Sequence, residues 1–108
     1  MKYPMNSKKE MPLFNYMVMV NGEFDYYLYE DFDDAVSKAK QLGKDLQIAL
    51  IYEPYFCTST REWRVQCTFK VMEGKIYYDK HAEIQLHLAF YINAGNWLNP
   101  KPEWIETK

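Results

Sequence analysis

One segment of the chain has the hydrophobic repeat of a helix. In residues 31–44, apolar side chains recur at spacings of three and four, which places them on one stripe. Asp31 and Asp34 can cap the first turn, and Gly43 can end the helix in the left-handed conformation. The pattern predicts a single amphipathic helix over a β-sheet. Its apolar stripe consists of Phe32, Ala35, Val36, Ala39 and Leu42.

Two strand-like segments precede this helix. Residues 13–20 and 23–29 are rich in β-branched, aromatic and methionine side chains, and Asn21-Gly22 between them is the strongest sequence signal for a type I′ hairpin. A two-residue turn would set Val20 opposite Glu23 and divide the side chains between two faces. We expect the helix to cover the more apolar face, which carries Met17, Met19, Phe24, Tyr26 and Leu28.

The other face of the hairpin would then lie open. Its three tyrosines stand beside two carboxylates, and tyrosine supplies a large contact area at low entropic cost in interfaces. We therefore expect a partner-binding surface here, with an exposed aromatic pair of a later loop as a second contact. The predicted partner-binding residues are Tyr16, Glu23, Asp25, Tyr27, Tyr29, Tyr55 and Phe56.

The rest of the chain is read mainly as strands. Residues 46–53 are apolar on both faces, as in a central strand, and a loop is expected over residues 54–60. Residues 62–72 alternate strictly, and Glu73-Gly74 predicts a tight turn into residues 75–78. The side of the alternating strand that should face the core carries Trp63, Val65, Cys67, Phe69 and Val71.

The last third of the chain is less clearly patterned. Alternation over residues 82–93 favours a strand, although several good helix formers and a capping Asp79 leave a helix open. Two prolines and a glycine exclude long regular structure from residues 93–108, where Trp97 and Trp104 are expected to anchor the tail.

These elements predict an α+β fold: an antiparallel β-hairpin, one α-helix, then a three- or four-stranded antiparallel meander, with the helix packed on one sheet face. A chain of 108 residues suits one core. The predicted organisation is a flexible N-terminal arm over residues 1–12, a single α+β domain over 13–95, and a C-terminal tail over 96–108 that packs on the domain.

Composition adds one feature to this picture. Aromatic residues make up 18% of the chain, which is more than a core of this size can enclose, so some rings must reach the surface. The formal net charge of -2 selects no obvious partner. No signal peptide and no apolar run of membrane-spanning length is present, so we expect a cytoplasmic protein without membrane contact.

The sequence offers no recognisable catalytic or metal motif. Cys57 and Cys67 lack zinc-site spacing and are expected to be free thiols. His81 and His87 would lie about 20 Å apart along a strand, too far to share a metal. Gly-rich phosphate loops, nucleophile elbows and His-Glu-x-x-His are absent. We therefore predict a non-enzymatic protein without cofactor or metal.

Protein binding is the leading functional prediction. In size, single-domain economy and surplus of tyrosine and acidic side chains, the chain resembles small inhibitor proteins that phages and mobile elements use against host machinery. Those proteins include the anti-CRISPR and anti-restriction types. The resemblance implies binding to a host protein or protein complex, in host defence or nucleic-acid processing, with inhibition by steric occlusion. A homodimer through the tyrosines is the alternative assembly.

Two other functions stay open at this stage. The first is a single-stranded nucleic-acid-binding domain, in which basic groups and an aromatic ring share one solvated sheet face. The second is a small enzyme with an unrecognised site. The predicted nucleic-acid-binding residues are Arg61, Arg64, Lys70, Lys75 and Tyr77.

Overall fold

The computed structural model describes residues 11–23, 25–44, 46–80, 86–87 and 103–107. Over these residues, six strands lie side by side in the order β2-β1-β3-β4-β5-β7, all antiparallel, and β6 pairs with β4 off this path. One helix packs on the sheet, which confirms the predicted α+β fold of hairpin, helix and meander. The elements are β1 (Tyr16–Val20), β2 (Tyr26–Tyr29), α1 (Phe32–Leu42), β3 (Ala49–Cys57), β4 (Glu62–Met72), β5 (Lys75–Asp79), β6 (Leu86–His87) and β7 (Trp104–Glu106).

The helix α1 connects two strands that are not neighbours in the sheet. β1 lies between β2 and β3 and is antiparallel to both, so β2 and β3 run parallel and α1 crosses over β1. Ala35 and Ala39 are fully buried, and their small side chains allow the helix to lie close to the sheet. The core cluster beneath the helix consists of Val18, Ala35, Ala39, Ala49, Ile51 and Val71.

The helix covers the tyrosine-bearing face of the first hairpin, which the hydrophobic pattern predicted to be uncovered. Tyr16, Tyr27 and Tyr29 are partly buried and pack against the cluster under α1, whereas Met17 and Met19 belong to a second cluster. The expected helix-covered face was therefore wrong. Crossovers between parallel strands are right-handed in nearly all proteins, so strand order selects the covered face regardless of which face is more apolar. Tyrosine suits this position because its ring is apolar and its hydroxyl is polar.

The second cluster shows that both faces of the central strands are buried. Met17, Met19, Leu50 and Tyr52 have no solvent exposure. This agrees with the prediction of a central strand that is apolar on both faces. The full cluster is Phe14, Met17, Met19, Leu50, Tyr52, Val65 and Cys67, with Trp63 and Trp104 among the side chains packed against it.

The turn of the first hairpin is not the predicted type I′ turn. Gly22 has a φ of 94°, Asn21 does not have a positive φ, and the Glu23 N–H donates to the Val20 carbonyl at 3.0 Å. These features match a type II turn. Because a type II turn does not follow the twist of paired strands, pairing begins only where Met19 meets Tyr26. The predicted register was therefore wrong by two residues, although the division of side chains between faces is unchanged.

A bulge in β4 overturns the predicted alternation of that strand. Ile51 pairs with Phe69, but the next residue, Tyr52, pairs with Cys67, so Thr68 is an extra residue in β4. An extra residue moves every later side chain to the opposite face. The five residues predicted to share one side are therefore divided: Trp63, Val65 and Cys67 face the second cluster, whereas Phe69 and Val71 pack beneath α1.

Gly43 ends the helix for a reason that the sequence does not show. Its φ of -85° and ψ of 40° are not left-handed, and the Asp31 side chain makes no capping hydrogen bond, so both cap predictions were wrong. A Cβ on Gly43 would lie 2.7 Å from the Val71 carbonyl oxygen and 3.1 Å from that of Ala39. Glycine is therefore required by close packing of the helix end against β4.

The C-terminal half agrees with several predictions. Glu73 and Gly74 both have positive φ, and Met72 pairs with Lys75, which confirms the second tight hairpin. Trp104 lies in β7, which pairs with β5 and extends the sheet. The strand predicted over residues 82–93 falls within the described part only at β6, while the rest of it, residues 1–10 and Trp97 lie outside the described residues.

Candidate functional site

β3 and β4 continue beyond the part of the sheet that β1 joins. We call this extension, residues 53–66, the arm, and it is distinct from the N-terminal arm predicted over residues 1–12. β1 pairs with β3 from Ala49 to Tyr52, whereas β3 and β4 stay paired as far as Cys57 opposite Glu62. The loop predicted over residues 54–60 was thus wrong in its first half, because β3 runs through it. On the other side of the arm, β6 pairs with β4 at two positions.

Pro54 fits in β3 because its missing N–H faces away from β4. The Asn21 N–H donates to the Ile48 carbonyl at 2.8 Å, so the even-numbered residues of β3 direct their backbone groups toward β1. Beyond Tyr52, no described strand occupies that side. Pro54 therefore lies in an edge strand, where proline interrupts no ladder.

One face of the arm carries a pair of aromatic rings, of which Phe56 is exposed and Trp63 is partly buried. The ring centroids of Phe56 and Trp63 lie 5.4 Å apart in an edge-on arrangement with an interplanar angle of 65°. Trp63 also packs against the second cluster, whereas Phe56 is 43% exposed. The pair therefore joins the core on one side and meets solvent on the other. Contact with the Trp63 ring limits the conformations open to Phe56.

The other face of the arm is polar. Tyr55 and Cys57 continue the alternation of Ile51 on this face, and Tyr55 pairs with Arg64. The Cys57 sulfur lies 3.4 Å from the Ser59 hydroxyl oxygen. Hydrogen bonding to Ser59, and then to Thr60, lowers the pKa of the partly exposed Cys57 thiol to about 6, so the thiolate predominates at neutral pH.

Burial and neighbouring charges also shift the pKa of Tyr55 on this polar face. Burial raises the pKa of Tyr55, the Arg64 charge opposes that shift, and the Cys57 thiolate adds to it. Tyr55 and Phe56 were predicted as one exposed pair. Because side chains alternate along a strand, the two rings lie on opposite faces of the arm, and only Phe56 is well exposed.

The second cysteine lies in an unreactive environment. Cys67 is buried in the second cluster, and its thiol donates to the Phe69 carbonyl at 3.6 Å. Burial, followed by the Asp79 charge, raises the pKa of this thiol far above its usual range. Both cysteines are free, as predicted, but only Cys57 has thiolate character near neutral pH.

The predicted tyrosine surface is not an uncovered face. The Tyr16 ring lies 5.3 Å from the Phe32 ring of α1, and the Lys38 nitrogen lies 4.2 Å from the centre of the Tyr27 ring. Burial, then the charges of Tyr27 and Asp34, raise the pKa of Tyr29. Glu23 and Asp25 are exposed. The tyrosines thus contribute to helix packing, and the reason for assigning them to a partner does not hold.

The bulge separates the predicted nucleic-acid-binding residues. Arg64 precedes it on the polar face of the arm, whereas Lys70 follows it on the opposite side, with its nitrogen 5.1 Å from the rings of both Tyr77 and Trp104. Lys75 is exposed at the start of β5. Arg61 is exposed in the arm turn with a φ of 57°. The expectation that one sheet face collects these groups was wrong.

Two residues of the arm were not recognised as site residues from the sequence. Trp63 was assigned to the core, because its contact with Phe56 depends on the register set by the turn between β3 and β4. Cys57 was predicted only as a free thiol. The useful signal was the hydroxyl-rich stretch at residues 58–60, whose Ser59 and Thr60 hydrogen-bond to the sulfur.

Within the described ranges, no group of three or more His, Cys, Asp or Glu side chains could hold a metal ion. The one described helix is too short and too polar to cross a membrane. No protein-family model, curated protein or solved structure matches this chain.

Proposed function

We propose that this protein is a non-enzymatic protein-binding module that docks on its partner through the arm, with the Phe56–Trp63 pair at the centre of the contact. The observation that carries this proposal is the 43% exposed Phe56 ring, held edge-on against a tryptophan that packs on the core. Trp63 belongs to a residue type enriched in binding hot spots, and so does Arg61, which is exposed in the turn of the same arm.

The energetics favour such a contact. Full burial of a phenylalanine side chain contributes about 1.5–3 kcal/mol, and removing the exposed part of Phe56 from water would recover part of that. Because Trp63 already restricts the ring, binding would cost little side-chain entropy. A partner that encloses both rings would therefore gain affinity from a small contact area.

Inhibition by steric occlusion is the form of activity that we propose for this binding. A domain of 13.0 kDa anchored by its arm would cover a surface of a larger host complex without performing chemistry. This proposal keeps the function class implied by the resemblance to small phage inhibitors and moves the contact from the tyrosines of the first hairpin to the arm.

A capture experiment with matched variants tests the proposal. Wild type, Phe56→Ser and Tyr78→Ser are immobilised and exposed to lysate of a candidate host cell, and bound proteins are quantified by mass spectrometry. Tyr78 is a suitable control because it is 39% exposed, close to Phe56, but lies in β5 outside the arm.

We expect one partner to be retained by wild type and Tyr78→Ser. Its affinity for Phe56→Ser should fall about thirtyfold, as for a hot-spot loss of about 2 kcal/mol. Thermal melts of all three proteins establish that the variants remain folded. Equal retention by folded Phe56→Ser and wild type would contradict docking through the ring pair.

A further inference from the structure

The outer edge of β3 in the arm presents backbone groups that no described residue pairs with. The alternation set by Asn21 and Ile48 directs the N–H and C=O of Phe56 and the C=O of Pro54 outward. A second observation agrees: the Arg61 N–H donates to the Cys57 carbonyl at 2.7 Å, so the backbone of Cys57 faces β4 and that of Phe56 faces away. The edge thus offers one donor and two acceptors.

An extended segment can satisfy all three groups. A residue opposite Phe56 would exchange two hydrogen bonds with it, and the residue two positions further would donate to the Pro54 carbonyl. The side chain opposite Phe56 would lie on the face of the Phe56–Trp63 pair, so an apolar or aromatic residue fits there. The missing N–H of Pro54 costs the pairing only one bond.

The polar face of the arm determines which residues of the partner segment should flank its apolar residue. Glu53 and Cys57 lie on this face of β3, and each carries a negative charge when ionised. Lysine or arginine opposite these two positions would complement them. An antiparallel partner segment therefore has a five-residue pattern: basic, apolar, any residue, apolar and basic. In that order, these positions lie opposite Cys57, Phe56, Tyr55, Pro54 and Glu53.

The same features disfavour a second copy of this chain in the register that sets Phe56 opposite Pro54. If two arms paired antiparallel, with Phe56 opposite Pro54 of the second copy, each such pair would form one hydrogen bond instead of two, because proline has no N–H. That register would also place Glu53 opposite the Cys57 thiolate, and like charges directly opposite destabilise a ladder. A foreign basic segment loses only the one hydrogen bond at Pro54 and places no like charge opposite Glu53 or Cys57.

We propose that the outer edge of β3 in the arm receives an extended partner segment by strand addition, with an apolar side chain against Phe56 and basic side chains opposite Glu53 and Cys57. The inference rests on the proposed function and defines its mode of binding. Main-chain hydrogen bonds give affinity in such complexes, and alternate side chains give specificity.

Two synthetic peptides test the inference on the full chain. The probe is acetyl-Thr-Lys-Trp-Thr-Val-Lys-Thr-amide, which has the derived pattern. Its control carries N-methyl groups on the Trp and Val nitrogens, so that it keeps every side chain but lacks the two donors that strand addition needs. Binding is followed by titration in ¹H–¹⁵N spectra, together with amide hydrogen exchange at Phe56.

We expect the probe to shift the amide resonances of residues 55–57 and to slow exchange of the Phe56 amide. The N-methylated control should bind at least about tenfold more weakly, which corresponds to about 1.4 kcal/mol. A version with Glu in place of both Lys should also bind more weakly, and rising salt should narrow that difference.

Several results would overturn strand addition. Equal binding of probe and N-methylated control would mean that the rings alone dock, which leaves the proposed function intact. Absence of binding, or shifts centred outside the arm, would reject the edge as the site. Protection of the Phe56 amide that rises with protein concentration, without peptide, would identify a second copy as the occupant. Failure of the Phe56→Ser capture test would instead reject the proposed function itself.

Discussion

Replacement of Gly43 by alanine tests the packing of the helix on the sheet. The added Cβ would lie 2.7 Å from the Val71 carbonyl oxygen. Val71 lies within β4, where it pairs with Ala49 on one side and Ile76 on the other, so its backbone cannot yield easily. The C-terminal end of α1 must therefore shift away from the sheet.

The expected size of the effect follows from two opposing contributions. Overpacking of this kind costs about 1–3 kcal/mol. A Gly→Ala change recovers about 0.4–1 kcal/mol by restricting the unfolded chain. The net loss should be about 1–2 kcal/mol, which corresponds to a decrease of roughly 4–12 °C in Tm for a domain of this size.

Thermal and urea unfolding, followed by circular dichroism, measure the change. Gly22 provides the control, because a Cβ there meets nothing within 4 Å and glycine is needed only for its φ of 94°. Asparagine tolerates that conformation, so Gly22→Asn should be mild while Gly43→Asn should be as harmful as Gly43→Ala. A Gly43→Ala protein that melts at or above the wild-type temperature would refute the close approach of α1 to β4.

Four further predictions concern other residues of the fold. Leu46 is 85% exposed with a φ of 71°, so Leu46→Asn should raise the free energy of unfolding by about 1 kcal/mol, and a lower Tm would contradict this. Alkylation of Cys57 by iodoacetamide should rise with pH around a midpoint of about 6, because ionisation creates the nucleophile, while Cys67 stays unreactive. Ser59→Ala should move that midpoint upward, and an unchanged midpoint would exclude the hydrogen bond as its cause. Pro54→Val should increase self-association in sedimentation experiments, because the edge gains a donor, and a strictly monomeric variant would argue against an open edge.

Elements with local signals were predictable from the sequence. The helical repeat depends only on residues within α1, and Glu73-Gly74 supplies both left-handed residues of the second turn. The covered face of the first hairpin was not predictable in this way. It depends on the position of β3, which pairs with β1 and not with β2. That pairing is a long-range contact, and the number of apolar residues on each hairpin face does not reveal it.

The candidate site was partly predictable for similar reasons. The exposure of Phe56 was expected, but its pairing with Trp63 depends on a turn in which Arg61 adopts a left-handed conformation. That conformation is rare for arginine, so sequence offers no signal for it. The bulge at Thr68 likewise leaves the alternating pattern intact while moving later side chains to the other face. Such effects become visible only when both strands are in place.

Hydrogen–deuterium exchange of the protein, free and bound to its captured partner, tests the central claim most directly. If the arm is the docking surface, binding should protect the amides of residues 53–66 and leave those of β2 unchanged. Protection centred on β2, with the arm amides exchanging as in the free protein, would contradict docking through the arm.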